Sequence, residues 1–160
     1  MRAVCDTSPL ILLSKVRRLD LLAELYEEVT IPASVMDEMR AKPGREMEQI
    51  RVLLQSPKLQ LRRATKRTLE GLPPGLGRGE REAIALALET KADLVVLDDQ
   101  QGRRVAREKG LSVAGTVGIL IEAGERGIIP SVRRELDHLI EAGMWIDEAF
   151  YHRILQEFGE

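Results

Sequence analysis

The chain has 160 residues, a net charge of −2 at pH 7, 44% hydrophobic side chains and only 3% aromatic ones. This length and hydrophobic content predict a single folded domain (residues 1–160) with an aliphatic core, and they exclude a disordered chain. The near-neutral charge argues against a protein that coats nucleic acid, and no apolar run approaches the roughly 20 residues needed to span a bilayer.

Short apolar segments alternate with helical segments along the chain. The predicted strands are residues 3–5, 28–31, 58–62, 94–97 and 112–114, and the predicted helices are residues 9–13, 19–26, 32–40, 47–54, 80–91, 100–109, 117–126, 131–142 and 147–158. Pro43–Gly44 predicts a break between two helices, and the Gly- and Pro-rich residues 71–79 predict a loop. This alternation predicts an α/β fold, in which a parallel sheet of about four to five short strands carries helices on both faces.

Acidic and polar residues follow the predicted strands, where parallel sheets bind their ligands. Asp6 comes directly after the first strand, so it must be solvated, hydrogen-bonded or metal-bound, or else it caps the next helix. Asp98 and Asp99 follow the strand at 94–97 in the same way. Two adjacent carboxylates repel each other unless a cation intervenes, and helix capping is again the alternative. Gly115 and Thr116 follow the last strand.

Helical periodicity separates the remaining acidic candidates. Glu80 falls on the apolar stripe of its helix, although a favourable charge at a helix N-terminus would also explain it. Glu82 lies nearly opposite that stripe and is interpreted as a solvated surface charge. Glu38 borders the inner stripe of its own helix, a position that is more often plain surface.

Three or four carboxylates from distant segments are suited to holding magnesium, which prefers oxygen ligands. Two such ions roughly 4 Å apart can activate water and neutralise charge during phosphodiester hydrolysis. This chemistry needs neither histidine nor cysteine. The single cysteine, Cys5, lies in an apolar strand and is interpreted as a buried core thiol. Asp6 and Pro9 interrupt the first apolar stretch, which is therefore not typical of a signal peptide, and we expect a cytoplasmic protein.

Five segments occur in a recognisable order: VCDTSPLILL, IPASVMDEM, LGRGEREAIALALE, DLVVLDDQQGRRVA and VAGTVGIL. Together they resemble the PIN-domain family, in the small prokaryotic branch related to VapC-like toxins. The resemblance covers about residues 1–127. It implies a Rossmann-like fold and an endoribonuclease that depends on Mg²⁺ or Mn²⁺, in the role of the toxin of a toxin–antitoxin pair.

The resemblance also implies roles for individual residues. Asp6 matches the first family acid and Glu38 the second. Glu80 is chosen as the third on the stripe argument, although the better-known toxins often carry an aspartate set differently in this helix. The fourth lies in the LDD run, where family spacing favours Asp99 and leaves Asp98 open. The expected supporting residues are Ser8 and Thr116, the expected catalytic acids are Asp6, Glu38, Glu80 and Asp99, and the expected metal ligands are Asp6, Glu80, Asp98 and Asp99.

Basic residues lie near these acids in the sequence. They are either solvated surface or contacts to RNA phosphates, and the candidates for RNA binding are Arg62, Arg63, Arg103 and Arg104. The apolar stripes of residues 128–160 either pack on the core or form a dimer seam or a groove for an antitoxin helix. We expect a homodimer.

Two other functions compete with the nuclease. A non-catalytic module of the same fold would bind RNA or a protein partner, and the near-complete set of acids argues against it. A phospho-accepting receiver domain would carry its acidic pair after the first strand and a lysine after the last. Here the pair comes late, and Ala114–Gly115–Thr116 offers no lysine.

Overall fold

A computed structural model describes residues 1–42 and 44–160, and the predicted break at Pro43 lies outside them. The strands and helices found in these residues are β1 (Arg2–Cys5), α1 (Thr7–Lys15), α2 (Asp20–Leu25), β2 (Glu28–Pro32), α3 (Ala33–Ala41), α4 (Arg45–Leu53), β3 (Leu59–Arg62), α5 (Lys66–Glu70), α6 (Arg78–Thr90), β4 (Leu94–Val96), α7 (Gln100–Glu108), β5 (Val113–Ala114), α8 (Thr116–Glu125), α9 (Val132–Glu141) and α10 (Glu148–Glu157).

The strands form one parallel sheet, with the order β3-β2-β1-β4-β5 within the described residues. β1 pairs with β2 on one side and with β4 on the other, where Cys5 is in register with Val96. The strand order therefore changes direction between β1 and β4. In open parallel sheets such a switch point leaves a crevice at the carboxyl ends of the strands. Asp6 and Asp98 follow the two strands that flank it.

Alternate side chains of the strands enter two apolar clusters on opposite faces of the sheet. In β1, Ala3 and Cys5 belong to one cluster and Val4 belongs to the other, and β4 alternates in the same way. Helices α1, α2, α3, α4, α8, α9 and α10 contribute to the first cluster, and α6 and α7 to the second. Burial on both faces explains the continuous apolar runs of these strands. The predicted three-layer α/β architecture is confirmed.

Two local features differ from the sequence prediction. Helix α5 was not predicted; it begins after Thr65, whose hydroxyl oxygen accepts a hydrogen bond from the Thr68 N–H at 3.3 Å. Glu89 of α6 holds the same residue by accepting from its N–H and its hydroxyl, both at 2.8 Å. Helix α6 begins at Arg78, so the predicted loop is shorter than expected.

The C-terminal helices pack against the rest of the chain. Val132, Leu136 and Leu139 of α9 and Ile154 and Leu155 of α10 are buried in the first apolar cluster. None of the helices in residues 1–42 and 44–160 combines the length and the apolar character needed to cross a membrane.

Candidate functional site

Asp6 lies directly beyond β1 and is only 5% exposed. Its backbone N–H donates to the Val96 carbonyl at 3.1 Å, which fixes Asp6 at the switch point. Asp6 occupies the N-cap position of α1, but within the described residues its side chain makes no capping hydrogen bond and its Oδ1 has no partner. Helix capping therefore does not account for this aspartate. A buried oxygen without a partner is costly, and a carboxylate oxygen is a ligand that divalent cations accept.

The electrostatic surroundings of Asp6 are acidic. The pKa of Asp6 is raised from 3.8 to about 7, chiefly by burial and against the opposing effect of the nearby Thr7 backbone N–H. The negative charges of Glu80, Glu38 and Asp98 contribute to this rise, in that order. The fold thus brings together four carboxylates from distant segments, and they repel one another unless protons or cations intervene.

Glu38 lies beside Asp6 across a glycine. The Thr7 hydroxyl donates to Glu38 Oε2 at 3.0 Å and so orients this exposed side chain. A Cβ on Gly79, in the first turn of α6, would lie 2.9 Å from Asp6 Oδ1 and 3.2 Å from Glu38 Oε1. Because Gly79 has no side chain, the carboxylates of Asp6 and Glu38 can both lie close to its Cα. Glu80, the next residue, is partly buried.

Asp98 is the acid that the supporting residues orient. It accepts hydrogen bonds from the Thr116 N–H and the Thr116 hydroxyl, both at 2.7 Å, and from the Ser8 hydroxyl at 3.3 Å. Thr116 is fully buried at the start of α8. These bonds join the segments that follow β1, β4 and β5.

The neighbouring Asp99 is exposed and faces its own helix. Its Oδ2 accepts from the Gly102 N–H at 2.8 Å, which is an N-cap bond for α7. The structure therefore shows Asp99 as the N-cap of α7, which was the alternative to a role in metal binding. Family spacing favours Asp99 as the fourth acid, whereas the side-chain contacts place Asp98 with Ser8 and Thr116 at the site.

Glu82 contradicts the sequence prediction. It was expected to be a solvated surface charge, yet it is only 7% exposed. Its carboxylate accepts from the backbone N–H of Ser34 at 2.8 Å and of Ala64 at 3.4 Å. The stripe argument failed because α6 is packed by β1, β2, β4, α3, α5 and α7 and is buried on most sides. The continuous apolar run at residues 83–87 was the signal of such burial.

We expect Glu82→Ala to lower the free energy of unfolding by about 1–3 kcal/mol, because it leaves the buried Ser34 N–H without an acceptor. Urea denaturation followed by circular dichroism would measure the change. The control is Glu108→Ala on exposed α7 surface, which should change stability by less than about 0.5 kcal/mol. Equal stability of the two variants would show that Glu82 does not hold the start of α3.

Arg103 is the predicted RNA-binding residue that shares a neighbour with one of the acids. A Cβ on Gly115 would lie 2.8 Å from Asp98 Oδ1 and 3.4 Å from Arg103 Nη1, so both side chains approach the backbone of Gly115. The other three candidates are exposed: Arg62, Arg63 and Arg104.

The residues present fit a divalent ion, although the cage is not preformed. Among residues 1–42 and 44–160, no three acidic, histidine or cysteine side chains are placed to hold one ion as they stand. Magnesium is usually bound through one or two carboxylates and several waters rather than by an all-protein cage. Asp6 offers a buried oxygen without a partner in this part of the chain, and the flexible Glu38 and Glu80 side chains can turn toward it.

A family model described as PIN domain matches residues 2–160. The chain belongs to the PIN domain family. Members of this family are typically metal-dependent nucleases. Asp6 and Asp98 therefore lie at the switch point of a PIN domain.

Two solved structures resemble this PIN domain in fold. One is a PilT N-terminus domain protein, SSO1118, from the archaeon Sulfolobus solfataricus P2, with a TM-score of 0.52 and 19% identity over 77% of this chain and 93% of that chain. The other is the PIN domain endonuclease Utp24, with a TM-score of 0.52 and 13% identity over 71% of this chain and 84% of that chain. At these identities the likeness establishes the fold alone. No curated protein matches the sequence.

Proposed function

We propose that this PIN domain is a metal-dependent endoribonuclease that works through Asp6, Glu38, Glu80 and Asp98. The observation that supports it most is the state of Asp6. Its carboxylate is buried at the switch point, and its Oδ1 has no hydrogen-bond partner among the described residues. Burial, together with the charges of three other acids, raises its pKa to about 7. A divalent cation would supply the missing partner and offset the repulsion.

Each residue of the site has a distinct task in this proposal. Asp6, Glu80 and Asp98 would hold a Mg²⁺ or Mn²⁺ ion, with Ser8 and Thr116 fixing Asp98 in one orientation. When bound, such an ion polarises phosphoryl oxygens and lowers the pKa of water. Thr7 holds Glu38 at the rim, where its exposed carboxylate can accept a proton from an attacking water. Asp99 keeps the N-terminus of α7 in place.

The finer parts of the proposal are the substrate and the biological role. The five sequence segments, which resemble a PIN-domain branch related to VapC-like toxins, support RNA as the substrate and a toxin paired with an antitoxin. We also propose a cytoplasmic protein that forms a homodimer through the apolar stripes of residues 128–160. The alternative is a non-catalytic module that binds RNA or a protein partner. Growth arrest by the wild type but not by an inactive variant, each expressed in a bacterium, would support the toxin role.

The test is a cleavage assay with a labelled single-stranded oligoribonucleotide and protein stripped of metal by EDTA. We expect internal cleavage when Mg²⁺ or Mn²⁺ is added and none in EDTA. The carboxylates are themselves negative, so without a cation they cannot stabilise the negative charge on the phosphoryl oxygens in the transition state. The same sequence as a deoxyoligonucleotide separates RNA from DNA cleavage. Absence of cleavage together with absence of Mn²⁺ binding in calorimetry would favour the non-catalytic module.

A matched pair of variants identifies the fourth acid. Asp98→Asn removes the charge while its amide can still bond Thr116 and Ser8, since hydroxyls both donate and accept. We expect it to slow cleavage by about tenfold or more, which corresponds to about 1.4 kcal/mol. Asp99→Asn should keep the wild-type rate, because asparagine caps helices as well as aspartate does. Loss of activity in Asp99→Asn alone would restore the assignment favoured by family spacing.

A further inference from the structure

A positively charged cavity lies beside the acidic site. It has a volume of about 480 Å³, and its lining includes Arg63, Lys66, Arg78 and Arg81 together with apolar surface from Leu69 and Leu76. We call this cavity the basic cleft. It is formed by the segment after β3, by α5 and by the first turns of α6. Its volume lies within the range of ordinary ligand sites.

The charges of the basic cleft are only partly compensated. Glu82 also lines it and adds one negative charge, which the backbone N–H groups of Ser34 and Ala64 orient. Lys66 is paired with Glu70 at 3.8 Å. Arg63 and Arg78 share a single carboxylate, that of Asp37, at 3.7 and 3.3 Å. Two guanidinium groups facing one carboxylate leave a net positive charge at the rim of the cleft.

Arg81 adds a cation that is held by neutral groups. Its Nη2 donates to the carbonyl oxygens of Leu72 at 3.2 Å and Pro73 at 3.4 Å. Its buried Nε has no hydrogen-bond partner in the part of the chain that the structure describes. Carbonyls orient a guanidinium without neutralising it, so Arg81 presents a fixed positive charge to whatever enters the cleft.

The basic cleft is continuous with the acidic site through one helical turn. Arg78 and Arg81 flank Gly79 and Glu80 in the first turn of α6. A Cβ on Gly79 would lie 2.9 Å from Asp6 Oδ1, which shows how closely this turn approaches the acids. A strand whose scissile phosphate lies at the acids would therefore place neighbouring phosphates over these arginines.

We propose that the basic cleft binds backbone phosphates of the single RNA strand next to the bond that is cut. This inference rests on the proposed nuclease function for its substrate, but it concerns a separate binding surface. Arginine contacts to phosphate position a strand without reading its sequence, so the cleft supplies affinity rather than specificity. Phosphate binding of this kind is salt-dependent, because each contact releases counterions.

The binding experiment uses the full chain carrying Asp6→Asn, in EDTA, so that no cleavage occurs. A fluorescent single-stranded oligoribonucleotide is titrated at several salt concentrations, with and without the added double substitution Arg63→Ala and Arg78→Ala. Both arginines are largely exposed, so the fold should survive. We expect weaker binding and a log K against log[salt] slope smaller by about 1.4, since each single-strand phosphate contact contributes about 0.7.

Two further variants make the result specific. Arg51→Ala with Arg153→Ala removes the same charge from exposed positions on α4 and α10 and should leave the slope unchanged. Asp37→Asn frees Arg63 and Arg78 from their shared carboxylate and should strengthen binding several-fold at low salt. An unchanged slope in the first double variant, or equal losses in the two double variants, overturns the inference.

The outcomes separate this inference from the proposed function. If the protein cleaves RNA with added metal but the Arg63→Ala, Arg78→Ala variant keeps the wild-type salt slope, the nuclease proposal stands and the basic cleft does not bind the RNA. A reduced slope in a protein that never cleaves RNA would retain the cleft as an RNA-binding surface and reject the nuclease. Equally strong binding of a duplex of the same sequence would overturn the assignment to a single strand.

Discussion

Replacing Asp6 by asparagine should abolish cleavage and also stabilise the metal-free protein above neutral pH. The loss of activity should exceed about hundredfold, because removing a charge that helps to neutralise the transition state costs several kcal/mol. The gain in stability follows from the raised pKa of Asp6, which rises from 3.8 to about 7 because of burial and the charges of Glu80, Glu38 and Asp98.

The pH dependence of this stabilisation has a defined sign. A carboxyl whose pKa is higher in the folded than in the unfolded state binds its proton more tightly when folded, so ionisation of Asp6 destabilises the fold. The penalty is absent below the unfolded pKa, near 3.8, grows as the pH rises, and is complete above about 7. Asp6→Asn should therefore match the wild type in acid and exceed its free energy of unfolding by about 2–4 kcal/mol at higher pH.

Urea denaturation in EDTA across this pH range measures the effect. Asp147→Asn is the control, since it replaces the aspartate that caps α10 by an equally good cap and should change stability little at any pH. Added Mn²⁺ should stabilise the wild type more than Asp6→Asn, because the ion binds the folded state through the carboxylate. Identical stabilities of wild type and Asp6→Asn in EDTA above neutral pH would show that burial and the neighbouring acids do not raise the pKa of Asp6 as described.

The fold was predictable because its signals are local and redundant. Each strand is a short apolar run, and runs buried on both faces are typical of parallel sheets with helices on either side. The rule that ligands lie beyond the carboxyl ends of strands then pointed to Asp6, to the pair Asp98 and Asp99, and to Gly115 and Thr116. Helix α5 was not predicted because its five residues are too few to show a clear periodicity. It is held in place by a long-range hydrogen bond from the Thr65 hydroxyl to Glu89, which the sequence does not reveal.

The site was predicted less completely, because side-chain contacts decide it. Asp98 and Asp99 follow the same strand, and only the contacts separate the acid bound to Thr116 from the acid that caps α7. The sequence did contain a signal, since a helix predicted to begin at residue 100 places Asp99 at its N-cap. Glu82 was assigned to the surface because the stripe argument assumes that a helix is buried on one side.

Gly79→Ala should disable the site without damaging the fold. The new methyl group would lie 2.9 Å from Asp6 Oδ1, 3.2 Å from Glu38 Oε1 and 3.3 Å from Thr7 Oγ1, so these groups must move apart. A displacement of about 1 Å at a catalytic site can cost about hundredfold in rate. Alanine is also a better helix former than glycine by roughly 0.5–1 kcal/mol, which offsets part of the crowding. Cleavage rates, Mn²⁺ affinity by calorimetry and thermal unfolding measure the three consequences.

Gly102→Ala is the matched substitution, also within the first turn of a helix. There a methyl group would meet Asp99 Oδ2 at 3.5 Å and Glu80 Cγ at 3.6 Å, which are ordinary contacts, so cleavage and Mn²⁺ binding should persist. Comparing Gly79→Ala with Asp6→Asn separates the effect of lost space from the effect of lost charge. Gly79→Ala keeps every carboxylate but fills the space between them, whereas Asp6→Asn keeps the space and removes one charge. If Gly79→Ala cleaved RNA as fast as Gly102→Ala, Asp6 and Glu38 could not act from their positions on either side of this glycine.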